Sequence, residues 1–119
     1  MIELLSNELG ERVLAFNIRG PIERTDIDRV ATAFEAQLKR HKPLRAYAEI
    51  QQIAAIEPDA LVEDLKLSLQ HFRDVERMAV VVDETWLARA VEIAGLLPGI
   101  DVRHFSWSER DKAREWIMS

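Results

Sequence analysis

The chain contains no cysteine. That absence removes disulfides, thiolate metal sites and thiol nucleophiles, and it fits an expected cytoplasmic location. Glycine is scarce: the 4 residues stand singly at positions 10, 20, 95 and 99, so no glycine-rich loop is available to cradle a phosphate. No apolar run approaches the roughly 18–20 residues that a membrane span needs. The opening Met1-Ile2-Glu3-Leu4-Leu5 has no basic segment ahead of an apolar one, so no signal peptide is expected. Positive charge is not in excess, with 16 Lys and Arg against 21 Asp and Glu and a net charge of −5. Long-range attraction to nucleic acid or anionic lipid is therefore not favoured. His41, His71 and His104 each lack a second ligand at metal spacing, and there is no H-E-x-x-H. No metal, no cofactor and no nucleic-acid partner are expected.

What is present is the composition of a folded domain. The 119 residues are 48% hydrophobic and 31% charged, and a chain of this size buries roughly 65% of its unfolded surface. One domain over residues 1–119 is expected. The chain is organised around Met78 to Val82, a short unbroken apolar run rich in β-branched residues. Such a run suits a central strand covered on both sides. Asp83 follows as a helix cap, and Trp86, Leu87, Ala90, Val91, Ile93, Ala94 and Leu97 give the next helix, over 84–97, a wide apolar stripe. Pro98-Gly99 ends it.

The rest packs around that βαβ unit. Ile2 to Leu5 and Arg12 to Arg19 read as an N-terminal β-hairpin, broken by Gly20-Pro21. A helix begins at Thr25, with Thr25 and Asp28 as its capping pair. Its apolar face is Ile27, Val30, Ala31, Phe34 and Leu38. Its end carries Lys39-Arg40-His41-Lys42, read as complement to the helix dipole and solvated surface. Leu44 to Ile50 alternates strictly. Leu44, Ala46, Ala48 and Ile50 share one face, and Arg45, Tyr47 and Glu49 share the other. That second face is expected to be open to water or part of a contact surface. Pro58 opens a helix with Leu61, Leu65, Leu69 and Phe72 on its core face. Ile100 to Phe105 alternates as an edge strand whose charges discourage stray pairing. Ser106 or Ser108 caps a last helix bearing Ala113, Trp116 and Ile117. The order β-β-α-β-α-β-α-β-α predicts an α/β fold with a mostly parallel five-stranded sheet, its first strand antiparallel.

Glu63-Asp64-Leu65-Lys66, His71-Phe72, Arg77 to Asp83, Trp86-Leu87, Phe105 and Ala113 to Ile117, in this order of elements, resemble the SpoIIAA-like family within the wider STAS and Sec14-like group. The resemblance covers the C-terminal half by residues and nearly the whole chain by topology. It implies a superhelix of strand–helix units. STAS domains act in protein–protein regulation, including as antagonists of anti-sigma factors, and their switch is a serine phosphorylated near the start of the helix after the third strand. Here that stretch, Gln51 to Asp59, has no serine or threonine, and Ser68 comes later, inside the expected helix. The resemblance therefore implies a module without the phosphoswitch. Sec14-like relatives hold lipid in an apolar cleft, but this chain lacks the additional helices that deepen it.

Three functions follow. The first is a non-enzymatic regulatory or scaffolding module that binds protein or self-associates as a homodimer, with Tyr47 on the two-faced strand as a contact residue. The alternative is a binder of a small apolar molecule or lipid, using Phe72, Trp86 and Trp107. The third is an enzyme that uses Asp83 or Glu84, at the C-terminal end of the central strand, with His71 or His104. Helix capping competes with any chemistry at Asp83 and Glu84, and core packing competes with any ligand contact at Trp86.

Overall fold

A computed structural model describes residues 1–5, 9–10, 12–19, 23–40, 43–51, 75–83 and 99–119, with the Ile27 side chain outside the description. The helices expected over 58–72 and 84–97 lie outside the described residues, and with them Phe72, Glu84, Trp86, His41 and His71.

The strands are β1 (Ile2–Leu4), β2 (Val13–Arg19), β3 (Leu44–Gln51), β4 (Val75–Val81) and β5 (Asp101–Phe105). They form one sheet in the order β1-β2-β3-β4-β5. β1 runs antiparallel to β2, with Ile2 opposite Ile18 and Leu4 opposite Phe16. The remaining neighbours are parallel. The expected hairpin and mostly parallel sheet are thus present. The middle place, however, belongs to β3, with β4 one position nearer the edge. β4 also begins earlier than its apolar run: Val75, Glu76 and Arg77 are already extended, and a register shift between Leu44 and Arg45 absorbs the mismatch.

Two described helices cover the sheet. α1 (Arg24–Leu38) lies on the face built by alternate residues of β2 and β3, where Ile2, Phe16, Phe34, Leu44, Ala46 and Val75 form an apolar core. Val30 and Leu38 pack against it at helical spacing from Phe34. The Phe16 and Phe34 rings lie 5.6 Å apart and tilted, an arrangement aromatic pairs favour. The cap of α1 is not Thr25 with Asp28. It is Glu23 with Asp26, two residues earlier. The Glu23 N–H donates to Asp26 Oδ2 at 3.0 Å, and Arg29 Nη2 donates to Asp26 Oδ1 at 2.9 Å. The first of these bonds is the main reason the Asp26 carboxyl is held below its ordinary range. A carboxylate reaches both partners where the Thr25 hydroxyl has no such pair.

On the opposite face, β5 leads through a 3-10 turn (Trp107–Glu109) into α2 (Arg110–Met118). Ser106 caps this turn, in a box closed by Glu109, which meets the expectation for Ser106. Gly99, just before β5, has φ +90°, a left-handed conformation that a side chain would strain. Among the described residues, no helix is long and apolar enough to cross a membrane.

Candidate functional site

Parallel pairing without further slip sets residues of neighbouring strands side by side. On the α2 face this produces rows. Asn17, Glu49, Val81 and Phe105 make one row, and Ala15, Tyr47, Ala79 and Arg103 the next. Ala113 and Ile117, four apart on α2, close over these rows and are fully buried. Small residues at 15 and 79 leave room for the Tyr47 ring between them.

The polar side chains caught beneath α2 converge on Glu49. Tyr47, two residues away and so on the same face, donates its hydroxyl hydrogen to Glu49 Oε1 at 2.8 Å. Asn17 Nδ2 donates to Glu49 Oε2 at 3.3 Å, and Arg114 Nη2, from α2, donates to Oε1 at 3.4 Å. Glu49 is 4% exposed and Tyr47 0%, a burial that a carboxylate tolerates only when paired. Burial, reinforced by the neighbouring Glu49 carboxylate, pushes the Tyr47 hydroxyl up to about 12 against the pull of Arg114. The Arg114 guanidinium is driven further upward by the adjoining Tyr47 hydroxyl and then by the Glu49 carboxylate it pairs with. Tyr47 is therefore a phenol and a donor across the physiological range. At the rim, Asn17 Oδ1 and Arg114 Nε are buried without a hydrogen-bond partner among the described residues.

A second cluster fastens the end of α2. Arg45 Nη1 donates to the Ile117 carbonyl at 2.9 Å and also to Ser119 O. Arg77 Nη1 donates to the Trp116 carbonyl at 3.3 Å and to Ser119 O at 3.1 Å. The last carbonyls of a helix carry its negative dipole end and need donors. Trp116 stacks beneath two guanidiniums, Arg103 at 4.8 Å and Arg77 at 5.4 Å, and its ring lies 6.1 Å from that of Phe105.

These contacts overturn one expectation. The face of Leu44 to Ile50 bearing Arg45, Tyr47 and Glu49 is not open to water or to a partner, because α2 covers it. Tyr47 is closed off as a contact residue. The local alternation could not reveal this, since the covering residue Arg114 lies 65 positions beyond Glu49. The available signal was the pairing of Tyr47-x-Glu49 inside an apolar strand with an arginine beside the Ala113–Ile117 stripe.

The other expected site residues divide. Trp107 is half-buried, packs at the edge of the cluster that contains Tyr47, and carries the Arg110 guanidinium 5.3 Å from its ring centre. Asp83 is exposed just past β4, and His104 is exposed on β5, level with Val80. Phe72, Glu84 and Trp86 fall outside the described residues. No group of three His, Cys, Asp or Glu able to hold a metal ion occurs among the described residues. The Tyr47–Glu49–Arg114 arrangement is an internal network that spends the Glu49 carboxylate on donors from sheet and helix, and its chemistry is that of a fastener between the two.

No curated protein matches the chain, and no solved structure does. A family model described as SpoIIAA-like matches residues 13–118, from the first residue of β2 to the last of α2. The sheet order, the antiparallel first strand and this match over most of its length together place the chain: it belongs to the SpoIIAA-like family, of STAS-like fold.

Proposed function

We propose that this chain is a non-enzymatic regulatory or scaffolding module that acts in the cytoplasm by binding protein, without a phosphoserine switch. One observation carries the reading beyond family membership. β3 ends at Gln51, and the segment that follows it in the chain, 52–60, contains no hydroxyl side chain. The place where a STAS domain takes its phosphate has no acceptor, so binding here is not gated by phosphorylation at that segment. The inward-turned Tyr47 and Glu49 support the same reading, since they serve packing and leave the outer surfaces for contact. Leu4, 52% exposed on β1, and Met118, 50% exposed on α2, are large apolar side chains left open on the outer surface.

Native mass spectrometry on gently purified protein tests this. The expected spectrum shows multiples of the 13.7 kDa chain or a second polypeptide in fixed ratio. A monomer carrying a small added mass that is lost on denaturation overturns the reading in favour of an apolar ligand.

A further inference from the structure

β5 is the last strand of the sheet, and its outer edge carries a self-complementary pattern. The Val82 N–H donates to the Phe105 carbonyl at 3.0 Å, so Phe105 directs its backbone groups toward β4. Backbone groups alternate along a strand, which assigns Asp101 and Arg103 to the same inward set. Val102 and His104 therefore turn their N–H and carbonyl groups outward, to the side of β5 that has no neighbouring strand among the described residues. The Asp101 and Arg103 side chains are 54% and 57% exposed and lie 3.9 Å apart on one face.

We infer that β5 pairs antiparallel with β5 of a second copy about a two-fold axis at Val102, extending the sheet across a homodimer. Two independent constraints select this register. Val102 must face the partner's Val102 as a hydrogen-bonded pair, and its backbone groups are those that point outward. The same register sets Asp101 opposite the partner's Arg103, and Arg103 opposite the partner's Asp101, in the closely spaced non-hydrogen-bonded positions where cross-strand charge pairs count most. Moving the axis to residue 103 places two arginines opposite each other and centres the pair on inward-facing backbone. The charges that keep β5 from pairing with strands at large thus admit one partner, the chain itself. On the α1 face the half-buried Val102 meets its own copy, which continues the apolar cluster of Val80 and Val82. This inference deepens the interaction reading above and rests on it.

Sedimentation equilibrium on the full chain tests it with three variants. Asp101→Arg sets arginine against arginine and is expected to weaken the dimer at least tenfold. Asp101→Arg with Arg103→Asp exchanges the signs, restores the complement and brings the dissociation constant back toward that of the parent. Val102→Pro removes only an outward N–H, so it keeps the ladder to β4 and the circular-dichroism spectrum while abolishing the dimer. A parent chain that is monomeric overturns the inference, as does a dimer whose dissociation constant is unchanged by Asp101→Arg and Val102→Pro. In that second case the interaction reading survives on another surface. A monomer with an added small ligand in native mass spectrometry ends both.

Discussion

The two described helices lie on opposite faces of one sheet, and they use different chemistry. Beneath α1 the contact is Phe16, Phe34 and Leu44 with their aliphatic neighbours, and its stability comes from area removed from water. Beneath α2 the contact has apolar residues at its centre, Ala79, Val81, Ala113 and Ile117. A carboxylate, a phenol and a guanidinium are set among them. The first kind of contact tolerates sliding, since apolar groups of similar size exchange at small cost. The second fixes position, because each buried polar atom must find a named partner. α1 supplies bulk stability, and α2 is registered on the sheet.

Substitutions that strike one face and spare the other sharpen that contrast. The largest loss is expected on the apolar side. Phe34→Ala empties a ring site in the α1 core and should reduce unfolding free energy by about 3–5 kcal/mol. Urea titration measures it, and a loss below about 1 kcal/mol would mean that α1 is not the main apolar cover. Next comes the buried pair. Arg114→Met leaves the Glu49 carboxylate with only neutral donors and should cost about 2–3 kcal/mol, below the range for fully buried pairs because the Arg114 side chain is 37% exposed. Adding Glu49→Leu should recover most of that loss. A double-mutant cycle reads the coupling, and strictly additive losses would contradict it.

The smallest effect is the most specific. The chain has one tyrosine, so a spectrophotometric titration reports Tyr47 alone. Its hydroxyl is raised in the folded state to about 12, above the value of roughly 10 in an unfolded chain. The folded state therefore holds the proton more tightly. The stabilisation is complete below about pH 10 and is lost as pH rises through about 12. Phenolate should appear near pH 12 together with unfolding, and appearance near pH 10 in intact protein would mean that α2 does not seal the ring. Tyr47→Phe removes one hydrogen bond to a buried carboxylate, at about 1–2 kcal/mol, and should flatten the alkaline decline.

The same contrast separates what could be read from the sequence from what could not. The apolar face was legible. Val30, Phe34 and Leu38 recur at helical spacing, Leu44 and Ala46 alternate, and each periodicity belongs to its own segment. The hairpin, the strand Asp101–Phe105 and the cap at Ser106 were legible for the same reason. The polar face was not. Arg45, Tyr47 and Glu49 carry the pattern of a solvated strand face, and they are covered because an arginine far along the chain arrives above them. The α1 cap at Glu23 was missed in a smaller way, because Thr25 is the better capping residue by type while Asp26 has the better partners in place. Of the expected site residues, Tyr47 and Trp107 come together in one cluster, a grouping that no spacing in the sequence encodes.

Arg45 and Arg77 occupy matching positions on adjacent parallel strands, on the same face. Like charges set side by side across a ladder oppose the pairing. Glu76 answers Arg45 at 2.6 Å, while Arg77 is answered by the last carbonyls of α2. Docking of α2 therefore relieves part of the repulsion at the joint between β3 and β4, which couples the middle of the sheet to a segment far along the chain. Loosening α2 is thus felt at the β3–β4 seam, where Arg77 loses its carbonyl acceptors while Arg45 keeps Glu76.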